Sequence, residues 1–445
     1  MTMIIGRIRK NEKWINLSYY VLYAILYLSA LVGTTTFMDW EGVPHVRNLF
    51  YMGATAGMFV LWILGLVLQE NWKINVAKAV ILLSGILQFA LGGGSSLILI
   101  LTILIGATDR KSADIILKES LIIGIAVIII AYLASMNGYI EYKVSTDGRH
   151  SFGFTYYSHF SDKLLYLYMM FRCVYRKRLS VGGYALSALL VYLDFRYTHA
   201  RTVTICFVLF LLLCAIYDLI GYTREKQSKA EVTSCAREKH GQIEAISCAR
   251  ENCNDAETIS DACEQCSRDE TNTAYERSRN IRGNVLKVMG ALVSAVYVLA
   301  GALSFGGVYV NKLLANMEIP YELNTFIARL NFSGEAMKQY GFTFFGQKIY
   351  ESLDEGPYFY LDNAYIRLFF ITGAVTLVFF AVYMTWMMWH AFSEKQYILF
   401  FALLVAATGG ISETYTINFY YNVFAILAFA RLGCIGTIPK REKTI

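Results

Sequence analysis

The sequence predicts an all-α integral membrane protein with about twelve transmembrane helices and one large structured extracytoplasmic loop. Three observations lead there. The chain is 56% hydrophobic and 15% aromatic, with only 17% charged residues against the roughly 25% typical of soluble domains. Its mean hydropathy is +0.43, and several apolar runs approach the roughly 20 residues a helix needs to cross the bilayer. Lipid offers no partner to an unpaired backbone group, so these runs are read as helices.

Taken in order, the expected spans are 14–37, 49–69, 79–92, 94–108, 118–137, 156–174, 181–195, 202–221, 285–309, 362–388, 397–410 and 416–432. The basic start (Arg7, Arg9, Lys10, Lys13) runs directly into a full-length span, so the first helix is expected to stay as an anchor and not be cleaved as a signal. Gly92, Gly93 and Gly94 interrupt the apolar stretch 79–108. They predict a tight hairpin of two short helices, the alternative being one tilted helix. With twelve spans the Lys and Arg bias places both termini, Arg176-Lys177-Arg178 and residues 222–284 in the cytoplasm, and 138–155, 196–201 and 310–361 outside. The organisation is therefore helices 1–8 over 1–221, an insert over 222–284, and helices 9–12 over 285–445, in the cell membrane.

The insert is polar, nearly charge-balanced and poor in large apolar groups, and repeats Ser-Cys-Ala-Arg-Glu at Ser234–Glu238 and Ser247–Glu251. Such a composition cannot support a packed core and predicts disorder. Cys263-x-x-Cys266 with Cys253 upstream lacks the second ligand pair that a zinc site needs, so it reads as reduced thiols. The outer loop 310–361 differs in kind. It mixes many aromatics with charges of both signs, and Glu322–Tyr340 carries apolar residues at helical spacing, so it should fold. Aromatic faces with nearby carboxylates and amides suit a carbohydrate; an interfacial aromatic belt is the plainer alternative.

Arg149, Arg196 and Arg201 fall on the expected outer face, where the charge bias does not call for them. Guanidinium groups held at an outer mouth suit an anionic ligand. The plainer reading is a snorkelling charge, or an ion pair with Asp147, Asp194 or Glu335. Glu413 interrupts the last apolar hairpin at membrane depth beside Ser412, with Asn418 and Asn422 expected one turn apart on the following helix. An ionisable group there is a functional-site hypothesis by default, or else a capping interaction. No His, Cys or Asp cluster has metal spacing and no phosphate-cradling Gly-rich loop is present, so neither metal nor nucleotide cofactor nor nucleic acid is expected.

Several of these residues resemble a known family. Arg149-His-Ser-Phe-Gly-Phe-Thr155 after an outer loop and Tyr197-Thr-His-Ala-Arg-Thr202 opening a later helix are similar to the paired arginine motifs of Wzy-type O-antigen and capsule repeat-unit polymerases. Ala328-Arg-Leu-Asn-Phe-Ser-Gly-Glu335, Leu361-Asp-Asn-x-Tyr365 with Gly373, and Gly410-Ile-Ser-Glu-x-Tyr415 with Asn418 and Asn422 resemble its large outer loop, the exit from that loop and its terminal hairpin. The chain departs from the pattern in three places. Tyr156-Tyr157-Ser158 stands where many members have His-Pro-Asn, Ala200 replaces the serine before Arg201, and Glu335 replaces an arginine.

The resemblance implies polymerisation of undecaprenyl-pyrophosphate-linked oligosaccharide repeat units into a surface polysaccharide on the outer leaflet, with the bilayer and a chain-length regulator as partners. Guanidinium forks match phosphate oxygens, so Arg149 and Arg201, with Arg196 and Arg329, are the candidate pyrophosphate ligands. The base that activates the acceptor hydroxyl is sought among His150, His159, His199, Glu335, Asp362 and Glu413, with His159 and Glu413 taken as catalytic. Glu335, Asp362, Asn363, Asn418 and Asn422 are the expected sugar contacts. Two rivals stand beside this reading: the related O-antigen-type ligase, and a lipid-linked oligosaccharide flippase or other transporter, which would place charges along a midplane cavity.

Overall fold

The computed structural model describes residues 12–68, 71–91, 96–145, 148–250, 288–314, 321–351 and 360–434. Among them all regular structure is helical; the β-bridges Thr35–Phe154, Ser112–Arg431 and Val144–His150 are isolated. The helices are α1 (Glu12–Val32), α2 (Val43–Leu68), α3 (Trp72–Leu91), α4 (Ser96–Ala107), α5 (Ala113–Met136), α6 (Tyr157–Val174), α7 (Val181–Thr198), α8 (Arg201–Arg250), α9 (Val296–Leu314), α10 (Tyr321–Tyr340), α11 (Ala364–Ser393) and α12 (Tyr397–Gly409). The chain divides into two units, residues 1–211 with 294–445, and residues 212–293.

Six helices are long and apolar enough to cross a membrane, namely α1, α2, α3, α5, the stretch Arg201–Thr223 of α8, and α11. A seventh joins them if Val288–Ser294 and the start of α9 are one broken span. The protein is thus a helical membrane protein. A helix covers every expected span but the last, although α4 and α12 are short and α6 carries Asp162, Lys163 and Arg172 among its buried residues. The break at 92–95 lies outside the described residues, but α3 and α4 are separate helices packed on each other, which favours the hairpin over one tilted helix. In the second unit the backbone of α8 is helical through Arg250, well into the segment expected to be disordered. Residues 251–287, with Cys253, Cys263 and Cys266, lie outside the described residues, as does Asp147.

In the first unit α1 packs on α2 and α5, α5 on α6, and α6 on α7 and α12, while α9 packs on α10, α11 and α12. Tyr19, Tyr23 and Tyr27, four residues apart on one face of α1, are wholly buried in this core, and Tyr23 Oη shares a 2.7 Å hydrogen bond with Ser120 of α5.

The stretch with helical spacing in the expected outer loop is α10, as predicted. Beyond α10 the chain is no mere surface connector. Residues 342–347 lie against a break in α11 at Gly373, whose φ of +89° no L side chain adopts readily. The break takes Ala374 N and Val375 N out of the helical ladder, and the loop bonds to both and to Phe370 O. Ala374 N donates to Thr343 O at 3.0 Å, Val375 N to Phe344 O at 3.2 Å, and Gln347 N to Phe370 O at 2.9 Å. Val308, Ala336, Leu361, Ile366, Phe369 and Phe370 bury this junction.

The expected last helix, 416–432, does not form. Residues 410–434 run as short 3-10 turns (Thr414–Ile417, Val423–Ile426, Leu432–Cys434) joined by irregular backbone. The sequence Thr-Tyr-Thr-Ile-Asn-Phe-Tyr-Tyr-Asn is built from β-branched, aromatic and Asn residues, all weak helix formers, and Asn422 bonds the chain locally through Nδ2 to Thr416 O at 2.8 Å. Asn418 and Asn422 are accordingly not neighbours on a helix face. They close a turn in which Asn422 N donates to Asn418 O at 2.9 Å. The segment nonetheless follows α11 along its length. Ala364 N donates to Gly410 O, Tyr383 Oη to Ala425 O, and the Trp386 and Phe429 rings lie 5.8 Å apart. At a helical rise of 1.5 Å per residue that is roughly 30 Å, the depth of a hydrocarbon core.

Gly373→Ala is expected to destabilise the fold by about 1–3 kcal/mol through its backbone conformation alone. The collision of the new Cβ with the Phe344 carbonyl adds to that cost. The expected result is a lower melting temperature in detergent and faster proteolysis at 341–350. Wild-type values in both would refute the docking of this loop on α11.

Candidate functional site

The polar residues singled out in the sequence divide into two groups. Arg329 of α10 lies between two carboxylates from other elements. Its Nε is 2.9 Å from Asp362 Oδ2, and its Nη1 is 3.4 Å from Glu413 Oε1 and donates to Ser412 O at 2.7 Å. All three side chains are mostly buried, that of Arg329 retaining 26% exposure. The Asp362 carboxyl is raised by burial and pulled back by Arg329 and Arg367. Next to it Asn363 caps α11, accepting from Tyr365 N and Ile366 N at 3.0 Å and donating to Ile411 O at 2.6 Å and Ser304 Oγ at 2.8 Å. Its amide is therefore fully engaged in holding three segments together.

A cavity of about 360 Å³ opens beside this group, lined on one side by Leu368, Ile371 and Thr372 of α11 and on the other by Tyr415, Asn418 and Tyr420 of the irregular segment. His159 of α6 and Arg367 of α11 also line it. Thr155 Oγ1 lies 3.2 Å from Thr34 O and 2.9 Å from His159 Nδ1, so its single proton can serve either contact.

Arg149, Arg196, Arg201 and Glu335 are not part of this cluster. Arg149 is half-buried and stacks over Tyr157 at 4.7 Å, on the first turn of α6 and two residues before His159. Its loop is tied down by His150, whose backbone N donates to Tyr197 O at 2.9 Å and whose Nδ1 meets Tyr142 Oη at 2.7 Å. Arg196 is exposed in the last turn of α7, where a cation suits the helix dipole. His199, at φ +50°, reverses the chain so that α8 begins at Arg201, which is also exposed. Asp194, one of the carboxylates considered for pairing with these arginines, accepts instead from Ser161 Oγ and is buried. Glu335 is exposed.

Three charged residues that the sequence motifs do not include belong here. Arg367 pairs with Glu351 at 2.8 Å and stacks over Tyr360 at 4.6 Å. Lys163, 1% exposed, lies 3.9 Å from the Tyr421 ring centroid and donates to Tyr420 O at 3.3 Å; Asp162 beside it is likewise buried. The signal was present, since charges inside the apolar runs 156–174 and 362–388 are expensive and call for a role.

Comparison with family models, with curated proteins and with solved structures finds no match to this chain.

Removing the cation from between its carboxylates tests this electrostatic arrangement. Arg329→Met should cost about 3–5 kcal/mol as a broken buried pair, reduced by the solvent that reaches the guanidinium. The loss should deepen as pH rises. Burial already holds the Asp362 carboxyl above its ordinary value, and without Arg329 it rises further. A carboxyl protonated in the folded state but ionised in the unfolded chain loses stability as pH climbs through its folded value. Arg329→Met/Asp362→Asn/Glu413→Gln should flatten the pH profile of the melting temperature. A single-variant loss independent of pH would count against the arrangement.

Proposed function

We propose that the protein is a membrane glycosyltransferase that polymerises undecaprenyl-pyrophosphate-linked oligosaccharide repeat units into a surface polysaccharide on the outer face of the cell membrane. The observation that carries this reading is the polar cavity between α11 and the irregular segment. An imidazole, His159, and a guanidinium, Arg367, both line it, and the Arg329, Asp362 and Glu413 cluster adjoins it. Orientation is taken from the charge bias, with 138–155 and 310–361 outside and the termini and 222–284 inside. The segment 410–431 then serves as a twelfth, non-helical crossing.

In the proposed step an acceptor sugar hydroxyl attacks the anomeric carbon of the growing chain. The new C–O bond forms as the bond from that carbon to the pyrophosphate breaks, and the bonding pair leaves on the phosphate oxygen. The hydroxyl proton passes to a ring nitrogen of His159, which lines the cavity. Guanidinium groups offset the charge that develops on the leaving pyrophosphate, with Arg367 at the cavity wall and Arg149 and Arg201 on the expected outer face. Glu413 is tied to Arg329, which suits it to orienting that cation.

A transporter remains the second reading, favoured by one observation. Asp162 and Lys163 are buried side by side within α6, as in charge-lined pathways.

Purified protein in liposomes, given the lipid-linked repeat unit of its own strain without nucleotide or added metal, should yield a ladder of lipid-linked products growing by whole units. Substrate that only changes leaflet would favour the transporter, and product formed only on a different acceptor would favour a ligase. In the same assay Arg149→Ala and Arg201→Ala should each slow extension by about 10²–10³-fold, and His159→Ala by about 10²–10⁴-fold. Wild-type ladders from the arginine variants at normal protein level would remove them from the site.

A further inference from the structure

A second cavity, of about 340 Å³, lies between α3, α4 and α11, lined by Val80 and Ser84, by Leu101 and Ile105, and by Phe380 and Tyr383. Val80, Phe379 and Val382 on its wall are exposed, so it opens on the outside of the bundle. Three of its polar groups are already engaged: Ser84 Oγ donates to Ile81 O at 2.7 Å, Thr102 Oγ1 to Leu99 O at 2.8 Å, and Tyr383 Oη to Ala425 O. Apart from these, Thr376 and Trp386, the lining is apolar.

The groove and the polar cavity are neighbours along α4 and α11. On α4, Leu97 lines the cavity and Ile98 the groove; on α11, Thr372 lines the cavity and Thr376, one turn on, lines the groove. From Thr376 to Trp386 the groove runs along α11 for roughly 15 Å. At the cavity end Arg367 Nη1 is buried without a hydrogen-bond partner among the described residues. A polar chamber with a spare guanidinium donor thus lies next to one apolar groove, and both volumes are of the size that holds a ligand.

The geometry points to this groove as the seat of the isoprenoid chain of the lipid-linked substrate, with its phosphate head in the polar cavity against Arg367. A single channel suits a one-chain lipid, whereas a phospholipid brings two chains. The inference takes the identity of the chain from the polymerase reading.

The test is photo-crosslinking of the full chain in nanodiscs with a diazirine-bearing polyprenyl pyrophosphate, the adducts being mapped by peptide mass spectrometry. Adducts should concentrate on the groove faces of α4 and of 376–386. Unlabelled polyprenyl pyrophosphate should compete them away, and phosphatidylglycerol should not. Ser84→Trp and Ala77→Trp, which fill the groove, should each lower them by about ten-fold, whereas Leu83→Trp, on an exposed residue of α3 outside the lining, should not. Adducts spread evenly over the exposed helices, equal competition by phospholipid, or indifference to both groove-filling variants would overturn the assignment. Labelling needs no turnover. Groove adducts without a product ladder would sink the polymerase reading alone, and a ladder without groove adducts would sink this one alone.

Discussion

A backbone that is not helical has to find hydrogen-bond partners inside the protein when there is no water to supply them, and that constraint organises this molecule. Residues 410–431 run beside α11 for the depth of a bilayer core without forming a helix, so turns satisfy only some of their carbonyls locally. Donors come from all around. Arg329 serves Ser412 O, Asn363 serves Ile411 O, Asn422 serves Thr416 O, Lys163 serves Tyr420 O and Thr108 serves Ile426 O. Each unsatisfied carbonyl would cost about 1–3 kcal/mol. Four of these five side chains are long and cationic or carry amides, and their positions are set by the backbone they serve.

That requirement places chemistry where a helical hairpin would have left only apolar packing. Arg329 reaches Ser412 O and Glu413 with one nitrogen and Asp362 with another, so one guanidinium both caps the backbone and balances two carboxylates. Lys163 bonds a backbone carbonyl while resting on the Tyr421 ring, which replaces part of its hydration. Thr155 links the turn after α1 to His159. Structural and chemical roles therefore coincide in single side chains, and a loss-of-activity variant means little without a parallel measure of folding.

Much of this architecture was legible in the sequence. Apolar run length and period located helices over the first eleven expected spans, and the spacing in Glu322–Tyr340 located α10. The twelfth run misleads because hydropathy reports burial, not backbone conformation. A run such as Ile417–Ile426 scores as apolar whether it is coiled or extended, and the warning lay in its Asn, Thr and aromatic content. At the site, Arg329, Asp362 and Glu413 come from three separated motifs and do meet, and His159 and Asn418 line one cavity. Arg196, Arg201 and Glu335 are exposed, whereas Arg367, Asp162 and Lys163 sit inside runs that read simply as spans. Pairing between distant segments depends on packing, which a linear pattern does not contain.

The cavity itself arises from the two broken backbones. Regular helices close the space between them by setting ridges into grooves. Along its cavity face α11 presents Leu368, Ile371 and Thr372 just before its break at Gly373, and opposite it stand the 3-10 turn Thr414–Ile417 and the irregular residues after that turn. Neither surface carries a continuous helical ridge, so they do not interlock. The gap that remains is lined by the polar groups which the irregular backbone required. Beyond Gly373 α11 resumes regular helix against α3, and the groove that neighbours the cavity there is lined mainly by apolar side chains.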